Sequence, residues 1–79
     1  MAEACLKIET AVGSVELTPP QIAILQWVSH GKDNIEIALL MNMERPIFVQ
    51  RQMQKIMEKT GTLSRAAAVA WALRHKVIT

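Results

Sequence analysis

The stretch Gly31-Lys32-Asp33-Asn34-Ile35-Glu36-Ile37-Ala38 decides the fold of this chain. Gly31 can adopt the left-handed backbone conformation that ends a helix. Asp33 then supplies an N-cap carboxylate, and Glu36 occupies the N3 position of an acidic capping box. Two short helices joined by so tight a turn must cross at a steep angle. This geometry is that of a helix-turn-helix unit.

Start and stop signals place four helices along the chain. The first begins at Thr18, an N-cap that is followed by Pro19 at N1 and by Gln21, which completes a capping box. Pro46 marks the start of the third helix, and Ser64 caps the last one. We therefore predict helices over residues 19–30, 34–41, 46–59 and 65–75.

These helices predict an all-α domain over residues 17–79, with no sheet of consequence. Residues 1–16 lack a helical period, and we interpret them as an N-terminal arm that is partly extended or partly disordered. A chain of 79 residues is close to the size at which one core only just suffices. The helix faces predict a core of Ile22, Leu25, Val28, Ile37, Ala38, Met41, Met53, Ile56 and Val69.

Charge is unevenly distributed, although the net charge is only +2. Residues 1–31 carry one Lys against three Glu, whereas residues 45–79 carry seven Lys and Arg against the single acidic residue Glu58. A basic half of this kind is typical of a protein with a polyanion partner. A solvated helical surface that happens to be basic is the alternative.

Composition and motifs argue against several classes of protein. No apolar run approaches the ~18 residues of a membrane span, and the single Cys5 cannot form an internal disulfide. We therefore expect a cytoplasmic protein without a membrane partner. His30 and His75 lack metal-ligand spacing, and no nucleophile–base arrangement or phosphate loop is evident. We expect no enzyme activity, no metal and no cofactor.

The third predicted helix carries the residue types that read DNA. A helix fits the major groove of B-form DNA, where Arg pairs well with guanine and Gln with adenine. Cations on the same face can contact phosphates. The outer face of residues 45–59 offers Arg45, Gln50, Arg51, Gln54 and Lys55. The order of parts, a helix pair followed by this helix, favours nucleic-acid binding.

The chain resembles the LuxR/GerE-type helix-turn-helix DNA-binding domain of bacterial transcription regulators. The resemblance covers about residues 17–79 and is most specific over residues 31–38. It also includes Leu17-Thr18, Ile24-Leu25, Ile56, Lys59, Gly61, Ser64-Arg65 and Ala68-Val69. It implies a four-helix domain that binds duplex DNA as a homodimer, in the cytoplasm and associated with the nucleoid.

The resemblance also implies roles for individual residues. Lys32 and Asn34, at the entry to the second helix, would approach phosphates, and Lys59 would contact the DNA backbone. The recognition helix would turn Gln50, Arg51 and Gln54 to the groove. The last helix would contribute to a dimer contact, for which we select Ala67, Ala70, Trp71 and Arg74 as small residues with one apolar anchor.

The chain departs from the family pattern where the recognition helix begins. Glu44 replaces the usual small N-cap residue, Phe48 stands where Thr is usual, and Gln50 stands where Lys or Arg is usual. Ile35 replaces a Lys of the second helix. Because phosphate contacts supply much of the affinity for DNA, a second function stays open. The domain could be reused for protein association, with Ile35, Ile47 or Phe48 as exposed anchors.

Overall fold

Two strands precede four helices in the computed structural model, which describes residues 5–11 and 13–79. The elements are β1 (Leu6–Thr10), β2 (Gly13–Leu17), α1 (Pro19–Ser29), α2 (Asn34–Leu40), α3 (Pro46–Thr60) and α4 (Arg65–Arg74). Each helix ends within one residue of its predicted bound. No helix in the described part of the chain is long and apolar enough to cross a membrane.

The all-α prediction is wrong in one respect, because β1 and β2 pair as an antiparallel hairpin. Successive side chains of a strand point to opposite faces, so Ile8 and Leu17 are buried while Lys7 and Glu16 are exposed. The predicted arm therefore forms most of a hairpin, and Ile8 of the arm is buried in the core. The prediction of partial disorder also covers residues 1–4 and 12, which lie outside the described residues.

The predicted capping signals at the turn between α1 and α2 are confirmed. Asp33 Oδ1 accepts a hydrogen bond from the Glu36 N–H over 2.8 Å, and Glu36 Oε1 accepts one from the Asp33 N–H over 3.4 Å. Gly31 has a φ of +82°, in the left-handed region that ends α1. Asn42 adopts the same region in the turn before α3, with a φ of 55°. Short polar and glycine residues tolerate this conformation best.

The core is formed by all four helices together with the hairpin. Leu25, Ile37, Ala38, Met53 and Ile56 are buried as predicted, whereas Ile22, Val28, Met41 and Val69 are only partly buried and pack against its edge. The predicted core set did not include the following residues, all of which are buried: Ile8, Leu17, Ile24, Val49, Ala68, Trp71, Ala72 and Ile78. Most of the omitted residues come from the hairpin, α4 and the chain end that follows α4.

Candidate nucleic-acid interface

Helix α3 has one buried face and one exposed polar face. Val49, Met53 and Ile56 are buried, at the spacing of three to four residues that a helix requires. The residues that we predicted for the outer face, Gln50, Arg51, Gln54 and Lys55, are all exposed. A single helix surface thus presents two amides and two cations to solvent.

The N-terminus of α3 has no side-chain cap. Pro46 occupies the first turn and makes Arg45 the N-cap, so the expected N-cap position at Glu44 is wrong by one residue. Arg45 is exposed and makes no capping hydrogen bond, and the first turn contains no acidic residue. Pro46 has no N–H group, and the Phe48 N–H donates to the Arg45 carbonyl oxygen over 3.1 Å. The positive end of the helix dipole therefore lies beside an exposed cation.

A shallow groove runs along α3 beside this N-terminus. It is lined by Met43, Phe48, Arg51, Gln52, Gln54 and Lys55. The Arg51 guanidinium lies 5.7 Å from the centre of the Phe48 ring, close enough for a cation–π contact. Phe48 thus contacts Arg51, whereas the Thr that is usual at this position in the family that the sequence resembles would offer a hydroxyl group.

Lys59 is held at the other end of α3 by a buried amide. Gln21 is 3% exposed, and its Oε1 accepts hydrogen bonds from Lys59 Nζ over 2.9 Å and from the Thr18 N–H over 3.1 Å. Its Nε2 donates to Gln52 Oε1 over 3.2 Å. Because an amide is neutral, this contact positions Lys59 without neutralising its charge.

The entry to α2 brings together Asn34 and a cation that our site prediction omitted. Arg65 Nη1 donates to Asn34 Oδ1 over 2.6 Å. On the other side of the turn, Lys32 Nζ lies 3.8 Å from Glu36 Oε2. The Ser64-Arg65 pair was part of the family resemblance, but no local pattern in the sequence indicated that Arg65 contacts Asn34.

Within the described residues, the cations of α3 form no ion pair with a carboxylate. Among residues 5–11 and 13–79, the only ion pair within 4 Å is the one between Lys32 and Glu36. Residues 45–60 carry four cations, Arg45, Arg51, Lys55 and Lys59, against Glu58 alone. Helix α3 and its N-cap therefore form the most basic element of the described chain, with its charge available to an external anion.

The structure corrects the expected role of Trp71 as an exposed dimer anchor. Trp71 is only 6% exposed and belongs to the core. Its indole stacks on the His75 ring, with 4.3 Å between the ring centres. Of the other residues chosen for a dimer contact, Ala70 and Arg74 are exposed and Ala67 is half-buried. Exposed Leu73 is the large apolar residue that α4 offers instead.

Large apolar side chains are exposed on α2 and at the start of α3. Ile35 is 62% exposed and Leu39 is 77% exposed, and their spacing of four residues places them on one face of α2. Leu40, Ile47 and Phe48 are exposed as well. Phe48 already contacts Arg51. Ile35 and Leu39 therefore form an exposed apolar face on α2, separate from exposed Leu63, which precedes α4.

The histidines are engaged with neighbouring groups. His30 Nε2 lies 2.9 Å from Gln26 Nε2, and His75 Nδ1 lies 2.8 Å from the Trp71 carbonyl oxygen. Within the part of the chain that the structure describes, no three His, Cys, Asp or Glu side chains are grouped so as to hold a metal ion.

One relative connects this geometry to transcription. The chain is 32% identical over 69 residues to the transcriptional activator protein BjaR1 of Bradyrhizobium diazoefficiens. The match covers 87% of this chain and 28% of the relative, so the chain spans little more than a quarter of that protein's length. No family model matches the chain. The similarity thus relates this chain to one part of a transcription regulator.

Proposed function

We propose that this chain is a transcription regulator that binds duplex DNA, with α3 as the recognition helix. The observation that carries the proposal is the exposed face of α3, which combines amides with unpaired cations. Gln50, Arg51 and Gln54 lie where a helix in the major groove would contact base edges. The similarity to a transcriptional activator supports the same function.

Phosphate contacts follow from the charges around this face. The positive end of the α3 dipole and the Arg45 guanidinium favour one phosphate at the start of α3. Lys55 lies along α3, and Lys59 is held at its far end by Gln21. Lys32, Asn34 and Arg65 flank the entry to α2, where a neighbouring phosphate of the same strand would pass. These contacts position the helix, and the amides supply specificity.

We also propose that the chain acts as a homodimer in the bacterial cytoplasm, associated with the nucleoid through DNA. Two copies of one helix-turn-helix bind two half-sites related by a two-fold axis. Ala67, Ala70, Leu73 and Arg74 of α4 provide the proposed contact, with Leu73 in place of the buried Trp71. Ala70→Glu should then weaken self-association relative to wild type in sedimentation, because it places a charge in the α4 contact.

A fluorescence titration against random-sequence duplex DNA at several salt concentrations tests DNA binding. We expect affinity to fall as salt rises, because each neutralised phosphate releases counterions. An otherwise identical titration against single-stranded DNA is the matched comparison. A folded protein that shows no salt-dependent affinity for duplex DNA, even at low salt, contradicts the proposal.

Protein association is a second candidate function, and the exposed face of α2 favours it. Ile35 and Leu39 are large, apolar and more than half exposed. Such side chains serve as anchors when they fill pockets of a partner. In this function the chain pairs with a DNA-binding relative and modulates it without contacting DNA itself. Isothermal titration against such a relative, with wild-type protein and with Leu39→Ser, tests it.

A further inference from the structure

The hairpin leaves one strand edge open. Within the described residues the sheet has two strands, so β1 has a hydrogen-bonding partner on one side only. Leu6, Lys7 and Glu9 are exposed along it. A two-stranded hairpin is marginal by itself, and an open edge is a template for another strand. The open edge of β1 lies outside the helix-turn-helix unit and has no role in the proposed DNA contact.

The register of the hairpin identifies the backbone groups at this edge. Thr10 pairs with Gly13 across a two-residue loop, so these two residues exchange hydrogen bonds. Hydrogen-bonded and non-hydrogen-bonded pairs alternate along an antiparallel ladder. The backbone groups of Ile8 therefore bond to Val15, and those of Lys7 and Glu9 point away from β2, towards the open edge.

We propose that the open edge of β1 pairs with β1 of a second copy of this chain, antiparallel and centred on Ile8. A two-fold axis at Ile8 places Lys7 opposite Glu9 of the other copy, and Glu9 opposite Lys7. These are the two residues of β1 whose N–H and C=O groups point towards the open edge, where the new ladder would form. The backbone register and the charge pattern thus select the same pairing.

Charge complementarity distinguishes a second copy from other strands. Both cross-strand pairs, Lys7 with Glu9 and Glu9 with Lys7, join opposite charges, and such pairs stabilise a sheet whereas like charges oppose it. The outer edge of β2 lacks this pattern, because a two-fold axis at Val15 sets Ser14 opposite Glu16. The pairing would also join the faces of the two β1 strands that carry Leu6, Ile8 and Thr10. It places exposed Leu6 opposite Thr10 of the other copy.

A charge-exchange experiment tests the proposal. One variant, Glu9→Lys, carries two cations on β1. The other, Lys7→Glu with Glu16→Lys, carries two anions on β1 and keeps opposite charges across the hairpin. All proteins also carry Ala70→Glu, so that the proposed α4 contact does not contribute. Circular dichroism checks that each variant is folded before association is measured.

We expect the Ala70→Glu parent to dimerise in sedimentation at high micromolar concentration. Each charge variant alone should dimerise about tenfold more weakly, because both cross-strand pairs become like-charged. A one-to-one mixture should restore dimerisation as a heterodimer, since every pair then joins opposite charges. A monomeric parent, or a mixture no better than its components, overturns the pairing and leaves the DNA-binding proposal unaffected.

Discussion

The Lys59 ammonium donates a hydrogen bond to Gln21 Oε1 over 2.9 Å and so connects the end of α3 to the start of α1. The same oxygen accepts the Thr18 N–H of the capping box. Gln21, which completes the capping box of α1, therefore also positions a cation at the proposed DNA interface. Helix initiation and the electrostatics of the interface are coupled through one amide group.

This coupling predicts that Gln21→Glu weakens DNA binding without removing any cation. A carboxylate in place of the amide would neutralise Lys59, so the slope of log affinity against log salt should fall by about one. Titrations at several salt concentrations measure it. Ser29→Glu is the control, because it changes net charge equally at an exposed position of α1. An unchanged slope for Gln21→Glu removes Lys59 from the interface.

The hairpin is predicted to contribute to stability as part of the core. Leu17 is fully buried, so Leu17→Ala should lower the free energy of unfolding by ~2–5 kcal/mol. Urea denaturation at low protein concentration measures this loss. Ser14→Ala, at an exposed position of the same strand, should change it by no more than about 0.5 kcal/mol. A small effect of Leu17→Ala would mean that the hairpin is dispensable.

The helices could be predicted from sequence because their signals are local. A capping box, a proline at N1 and a left-handed glycine each act within a few residues. Asp33, Glu36 and Gly31 all occupy the geometry that their spacing predicts. The exposed face of α3 followed from the same local periodicity, which is why Gln50, Arg51, Gln54 and Lys55 were identified as exposed.

The hairpin and the long-range contacts could not be predicted in the same way. Alternation over Leu6-Lys7-Ile8-Glu9 is too short to specify a strand until a partner and a core are present. Trp71 was assigned to a dimer contact because helical spacing alone cannot say which face of α4 meets the core. The bond between Arg65 and Asn34 joins residues 31 positions apart, and no local pattern contains it.

Gly61 is predicted to be required for its backbone conformation alone. Its φ is +67°, and an added Cβ would meet nothing within 4 Å. Gly61→Ala should therefore destabilise the fold by about 1–2 kcal/mol through backbone strain. Gly61→Asn should cost less, because Asn tolerates this region better. Thermal or urea unfolding compares the two, and equal costs would show that the end of α3 relaxes.

The exposed face of α2 gives a prediction that concerns protein association. Leu39 is 77% exposed, so Leu39→Ser should leave the unfolding free energy within about 0.5 kcal/mol of wild type. If α2 anchors a partner, the same change should abolish binding to that partner. Ala66→Ser, at an exposed position of α4, is the control. Unchanged partner binding by Leu39→Ser excludes α2 as the anchor.

The cations of α3 give the prediction that separates the two functions. Arg51→Ala should weaken duplex DNA binding by ~1–3 kcal/mol if Arg51 contacts a base, and Lys55→Ala should lower the salt slope by about one if Lys55 contacts a phosphate. Lys76→Asn is the control, because it removes an exposed charge outside α3 where the backbone has a φ of 58° that Asn tolerates. If Arg51→Ala and Lys55→Ala bind DNA with the same affinity and salt slope as Lys76→Asn, the cations of α3 do not form the interface.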